Sequence, residues 1–370
     1  IILNVTSDPA TTQSVTWRTG REASRPRAQI ATAMSSPDFE DSAVSVPAKV
    51  EKVPIGNNES VYYYSVLFGS LEPETLYAYR VGADNNWSEW NQFRTAAAGG
   101  APFTFVYLGD PQNDILSMCS RIFRAAFKEA PDAALWLITG DIVNHGEEDA
   151  EWGEFYDAMG WITRTTPVAP LPGNHEYGKT LNFSQGLTYL WQPQFTLPEN
   201  GPDAVKESAY YFVYQGVLFV TLNGNEKLED QAKWLEDVLR NNRQRWTVVS
   251  IHHPFYSTAE GRDNAYHRML FTRLFDRYSV DLVLQGHDHT YGRTHRVYNG
   301  KRSKDRGPVY IVSVSGPKQY ASGNQYAELM AKTGMDLQLF QVIQVEKDRL
   351  SCETYTVTGE LFDSFQLNKN

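Results

Sequence analysis

Along the first 95 residues, apolar and polar positions alternate in short runs at 15–18, 28–30, 61–68, 76–81 and 90–94, separated by turn residues. Tyr77, Tyr79 and Val81 fall on one face of such a run, with Ala78, Arg80 and Gly82 on the other. A period of two marks half-buried strands, and strands at this spacing predict a β-sandwich. The small residues Ala96-Ala97-Ala98-Gly99-Gly100-Ala101-Pro102 then break the periodicity, as a linker does. Beyond them come continuous apolar runs at 103–108, 133–139, 168–171, 246–251 and 281–285, with helical patterns between several of them. Strands alternating with helices predict an α/β layer, in which ligands gather at the carboxyl ends of the strands. The pattern divides the chain into 1–96, a linker at 97–102, and 103–370.

One stretch sharpens the first unit. Leu71-Glu72-Pro73-Glu74-Thr75-Leu76-Tyr77 resembles the L-x-P-x-T-x-Y signature of fibronectin type III domains, whose tyrosine hydroxyl bonds back to the backbone of its own corner. The resemblance implies an all-β, fibronectin III-like sandwich with Trp17 as a core candidate. At 370 residues, 41% hydrophobic and 13% aromatic, the chain has material for more than one core. A net charge of -10 argues against binding nucleic acid through a general basic surface. No stretch reaches the roughly 18 to 20 apolar residues of a membrane span. The chain opens on Ile1-Ile2-Leu3-Asn4, with neither an initiator methionine nor a charged-then-apolar leader, which predicts a processed or trimmed N-terminus. Two cysteines, Cys119 and Cys352, are too few for a disulfide framework, and Cys119, in a helical pattern with Ile115, Met118, Ile122 and Ala126, reads as a buried thiol.

The chemistry collects where the five later strands end. Asp110 and Gln112 follow the first, Asp141 the second, and Gly173-Asn174-His175-Glu176 the third; His252 and His253 follow the fourth, and Gly286-His287-Asp288-His289 the fifth. Each alone has a plain reading: Gly-Asp is a common turn or helix cap, Asn174 fits an Asx turn, and a single histidine fits a satisfied core position. Together they place carboxylates, imidazoles and amides at one edge, without a thiolate. That donor set suits zinc, iron or manganese. The number of donors exceeds the need of one ion, and two ions sharing a carboxylate characteristically serve displacement at phosphorus.

In this order, the Gly-Asp, Gly-Asp, Gly-Asn-His-Glu, Val249-x-x-His252 and Gly-His-x-His motifs resemble the calcineurin-like metallophosphoesterases. The sandwich, together with Gly286-His287-Asp288-His289-Thr290-Tyr291-Gly292-Arg293, is most similar to the purple acid phosphatase branch. The resemblance implies a C-terminal α/β metallophosphoesterase domain, a β-sandwich flanked by helices, carrying two transition-metal ions (Fe, Zn or Mn). It assigns Asp110, Asp141 and His289 to the first ion and Asp141, Asn174, His252 and His287 to the second, with Asp141 bridging. His175 then faces the substrate, Glu176 supports His175, and His253 is a second catalytic candidate beside His267. Where purple acid phosphatases carry Gly-Asp-x-x-Tyr, this chain has Gly140-Asp141-Ile142-Val143-Asn144, so the phenolate ligand responsible for the colour is missing. Gln112, Asn144 or water would fill that position, and neutral ligands there favour a divalent pair over ferric iron.

The implied reaction is hydrolysis of a small phosphate monoester by water activated on the metals, whose pKa coordination lowers to about 7. His175 would protonate the leaving oxygen, worth on the order of 100 to 10,000-fold. A phosphodiesterase or nucleotide hydrolase would use the same site, and an exported cell-surface binding protein with a vestigial metal centre is the alternative of another class. The family's habit implies a secreted, periplasmic or cell-surface location. Asn4-Val5-Thr6, Asn58-Glu59-Ser60, Asn86-Trp87-Ser88 and Asn182-Phe183-Ser184 would permit N-glycosylation.

Overall fold

The computed structural model describes residues 1–56, 59–179 and 184–369. The strand alternation of the N-terminal part closes a sandwich. Pro26–Thr32 pairs with Leu76–Ala83 in one sheet, Gln13–Thr19 pairs with Glu59–Phe68 in the other, and Trp17, Ile30, Tyr64, Val66, Tyr79, Val81 and Phe93 fill the space between. Tyr77 is buried, and its hydroxyl accepts the backbone N–H of Glu72 at 2.8 Å, the corner bond that its motif predicts.

The second part is built on parallel strands. Phe103–Leu108, Leu135–Ile138 and Val168–Pro170 run parallel in one sheet; Val217–Leu222, Trp246–Ile251, Leu282–Gln285 and Val309–Val312 run parallel in another. The period of two sorts their residues. Val217, Phe219 and Val248 turn into the core shared with the first sheet, whereas Leu218, Val220, Val249 and Ile251 turn the other way, onto Leu235, Leu239, Phe271 and Phe275 of the helices Leu228–Asn241 and Ala265–Arg277. Parallel strands are covered on both faces, which is why these segments read as continuous apolar runs.

The small-residue run at 97–102 suggests two separable units, but the sheets do not stop there. Ile2–Asn4 lies parallel to Val168–Pro170, with Asn4 opposite Val168, and antiparallel to Gln13–Thr19. One ten-stranded sheet therefore runs from the C-terminal strands through the site-bearing strands into the sandwich. Arg18 reinforces the join with a two-pronged ion pair to Asp149, at 2.5 and 2.8 Å, and Tyr79 donates its hydroxyl to the Arg164 carbonyl at 2.7 Å. Gln215 pins the linker, accepting from Ala97 N and donating to the Ala101 carbonyl.

Both cysteines are buried free thiols, and Cys119 sits in a π-helical turn, Ile115–Cys119, with Sγ 2.8 Å from the Pro111 carbonyl. Asn4 is fully buried in its strand, so its glycosylation tripeptide is unusable in the folded chain; Asn86 is exposed, and Asn58 and Asn182 lie outside the described residues. No helix among the described residues is long and apolar enough to cross a membrane.

Candidate metal centre

The carboxyl ends of the two sets of parallel strands meet along one edge. There, ligand atoms of Asp110, Asp141 and His289 lie within 4.8 Å of one another, and so do those of Asp141, His252 and His287. Asp141 belongs to both groups. Asp110, Asp141, His252 and His289 are buried. Asn174 joins the second group, its Oδ1 3.2 Å from His252 Nε2.

The backbone is distorted to bring these groups together. Asp110, Asp141, His287 and His289 have φ of 52°, 47°, 75° and 49°, a left-handed conformation that non-glycine residues adopt at a cost and that concentrates at functional sites. Close approach sets the flanking glycines: a Cβ on Gly173 would lie 2.2 Å from Asp141 Oδ1, and one on Gly286 would lie 2.4 Å from Asp110 Oδ2. The Gly-Asn and Gly-His pairs thus have a common steric origin.

The donors carry more lone pairs than the protein satisfies. His252 Nδ1 faces the Thr139 carbonyl at 2.8 Å, so in the neutral ring it holds the proton, leaving the Nε2 lone pair 3.2 Å from each of three acceptors: Asp141 Oδ2, Asn174 Oδ1 and His287 Nδ1. Gln112 is buried, with Nε2 2.9 Å from His289 Nε2 and 3.2 Å from Asp141 Oδ2, while its Oε1 and His289 Nδ1 have no partner among the described residues. A half-turn of the amide would direct the Gln112 oxygen at the same point. Burial pushes the Asp110 carboxyl well up, against the pull of His252, and drives His289 down to about 3, Lys318 adding to the effect. Burial lowers His252 too, but with no cation present Asp141 and Asp110 overcome it and raise the ring to about 9, so a proton on Nε2 takes the place among these acceptors that a metal ion would take on the neutral ring. Cations placed among these groups would relieve the convergence of lone pairs and carboxylates, so the donor set fits metal binding.

The remaining predicted residues divide. His175 is half-buried at the edge of the cluster, with Nδ1 2.7 Å from the Asn144 carbonyl and Nε2 4.0 Å from Asp141 Oδ2. His253 stacks on His267 with ring centres 4.8 Å apart and lies 4.8 Å from the His287 ring; burial, His252 and His267 hold it well below the usual imidazole range. His267 contacts the Gly224 carbonyl. Of the two side chains offered for the missing tyrosine's place, Asn144 engages Asn113 and His145, while Gln112 contacts Asp141 and His289.

Glu176 departs from expectation. Placed by sequence as the support of His175, it instead accepts four backbone N–H groups, from Asp141 and Gly173 on Oε2 and from Ile142 and Val143 on Oε1, at 2.7 to 3.2 Å. It clasps the two ligand-bearing loops to each other. The role belongs to loop geometry, which an acidic residue after a histidine does not disclose. Sequence reasoning also missed Asp288, whose buried carboxylate accepts from Ser257 Oγ and Thr258 N, and the nearby Arg262, Lys318 and Tyr320. Asp288 is the unassigned position of the Gly-His-x-His motif, and the loops of Arg262, Lys318 and Tyr320 carry no motif.

Residues 103–291 match the family model described as calcineurin-like phosphoesterase, over half of the sequence. The chain belongs to that family. Residues 1–95 match the purple acid phosphatase N-terminal domain. Two uncharacterized Mycobacterium tuberculosis proteins are 26% identical over 341 residues, covering 82% of this chain, which spans only 63% of their length. Acid phosphatase type 7 of Mus musculus is 27% identical over 360 residues, covering 85% of this chain and 77% of the relative. Among solved structures, a purple acid phosphatase from yellow lupin (Lupinus luteus) seeds superposes with a TM-score of 0.83 at 18% identity, over 99% of this chain and 73% of that one. The calcineurin-like fold thus joins a purple acid phosphatase-type sandwich, without the tyrosine that the branch places three residues after its second aspartate.

Proposed function

We propose that this chain is a metal-dependent phosphohydrolase that cleaves phosphate monoesters at a dinuclear centre bridged by Asp141. The observation that carries the reading is that the two ligand groups share that one buried carboxylate. Asp110, Asp141 and His289, with Gln112, would hold the first ion; Asp141, Asn174, His252 and His287 would hold the second. Oxygen and imidazole donors without thiolate suit zinc, manganese or ferrous iron. When bound, such a pair supplies an activated water and charge neutralisation at phosphorus.

The chain's own residues do the rest. The Asn144 carbonyl fixes the proton of His175 on Nδ1 and turns Nε2 toward the cluster, where the protonated ring can give its second proton to the departing ester oxygen. Glu176 holds both ligand loops in register through backbone amides. His253, neutral beside His287, offers a further polar edge to a phosphoryl oxygen. The proposed division into 1–96 and 103–370 assigns all of these groups to the second part, with the sandwich supporting the strand that leads to Asn174.

The test is metal analysis by mass spectrometry together with turnover of phenyl phosphate and bis-phenyl phosphate. Two ions per chain and preferential cleavage of phenyl phosphate are expected, and Asp141→Asn should lose both metal and activity. Fewer than two ions at saturation would end the dinuclear reading, and preference for the diester would end the monoester reading.

A further inference from the structure

Beside the candidate metal centre, two loops present positive charge that has no ion-pair partner among the described residues. Arg262 and Lys318 are half-buried, and among the described residues neither makes an ion pair, although the chain carries a net charge of -10. Both lie over the ring of Tyr320, the Arg262 guanidinium 4.6 Å and the Lys318 ammonium 5.5 Å from its centre. Tyr320 in turn meets the His289 ring edge-on at 4.9 Å, and its backbone N–H reaches the His289 carbonyl. Arg262 donates to the His287 carbonyl at 2.8 Å. Arg262 is therefore tied directly to His287, and Lys318 lies near His289 through the ring of Tyr320.

The loops that carry them are built in place. Glu260 N donates to the Ala321 carbonyl and Gly323 N to the Thr258 carbonyl, which pairs one loop with the other. Asp288, between the two histidines, receives Thr258 N, Ala259 N and Ser257 Oγ, and so ties the pair of loops to the metal-site turn. Gly316 N donates to the Asp110 carbonyl, and a Cβ on Gly316 would lie 2.3 Å from that oxygen. A guanidinium and an ammonium fixed in this way, each partly withdrawn from water, are arranged for phosphate oxygens.

Resting on the hydrolase reading above, we propose that Arg262 and Lys318, held over Tyr320, form a second anion subsite for the phosphate adjoining the one under attack. The favoured substrates are then terminal diphosphates and triphosphates, with leaving groups that are themselves phosphates. Water adds its oxygen to the terminal phosphorus, and the bond from that phosphorus to the bridging oxygen breaks. The bridging oxygen departs with the penultimate phosphate and takes up one proton of the water, giving orthophosphate and the shortened phosphate. Cations beside the departing phosphate stabilise the charge that develops there.

Calorimetry on the metal-loaded full chain with two non-hydrolysable probes, methylenediphosphonate and methylphosphonate, tests the subsite without relying on turnover. The wild type should bind the diphosphonate at least about tenfold more tightly. Arg262→Gln and Lys318→Gln should each reduce that preference several-fold while changing methylphosphonate binding by less than about twofold, as expected for loss of one charge-assisted contact. Equal affinity of the wild type for both probes, or variants that weaken both alike, would overturn the subsite. Phenyl phosphate turnover measured on the same wild-type sample separates the two proposals: turnover without diphosphonate preference removes only the subsite, whereas preference without turnover removes the hydrolase reading and the substrate class that rests on it.

Discussion

Substituting Gly173 by alanine tests the steric logic of the site at a single atom. Gly173 does not have a left-handed backbone, so alanine has no torsional objection there and the whole effect must come from space. The new methyl would sit 2.2 Å from Asp141 Oδ1 and 2.4 Å from Asp141 N. Ordinary contact begins near 3.5 Å, so the two loops must part by about 1 Å. Neither side yields easily: Glu176 Oε2 clasps Gly173 N and Asp141 N together, at 2.7 and 2.9 Å. Overpacking of this kind costs about 1–3 kcal/mol. The functional loss should be larger in proportion, because ligand distances tolerate only about 0.2 Å and a displacement of about 1 Å in a reacting geometry costs on the order of 100-fold. Expected, therefore, are a modest fall in thermal midpoint, metal occupancy reduced from two ions after dialysis against a fixed free-zinc concentration, and phenyl phosphate turnover down about 100-fold. A variant that keeps two ions at wild-type affinity and turns over within twofold of wild type would refute the placement of Asp141 as the shared ligand.

His175→Ala should retain both metals, because the ring lies at the edge of the ligand groups, and should lose about 100 to 10,000-fold in turnover; loss of an ion would instead make His175 a ligand. Loaded with ferric iron, the protein should show no phenolate charge-transfer band, since the hydroxyl of Tyr107 is engaged with Gln285 and that of Tyr177 with Glu226 and Asn223; an intense visible band would place a tyrosine on the metal. A truncated chain beginning at Ala101 strips Val168–Pro170 of its partner Ile2–Asn4 and leaves Asp149 without Arg18, so it should aggregate or unfold at a lower temperature than the full chain; a soluble truncated chain of unchanged thermal midpoint would show that the shared sheet is dispensable. Gly153→Ala, in the helix Asp149–Met159 with nothing within 4 Å of the new methyl, should stabilise by about 0.5–1 kcal/mol, a control for the alanine at position 173.

Periodicity alone located the strands on which the site depends, because strands buried on both faces must be continuously apolar and half-buried ones must alternate; 103–108 and 246–251 coincide with the strands observed. The ligand candidates were legible for a related reason: Asp110, Asp141, Asn174, His252, His287 and His289 each follow an apolar run, where a core strand has no use for such groups. What the sequence could not supply were relations between segments far apart in the chain. Ile2–Asn4 is too short to declare itself and becomes a strand by pairing with Val168–Pro170, which turns two apparent units into one continuous sheet. Glu176 looked like the helper of its neighbour His175, but the approach of two loops surrounds its carboxylate with four backbone N–H groups. Asn144 and Gln112 were equivalent on chemistry, and only the tertiary path of the chain put the glutamine beside His289 and gave the asparagine Asn113 and His145 as partners. Arg262 and Lys318 acquire their meaning from Tyr320 and the loop pairing beneath it. Local composition determines which side chains a strand end offers, since burial acts on each segment through its own pattern; which of them face one another is decided by loop packing, where long-range hydrogen bonds and excluded volume act between residues that the sequence keeps apart.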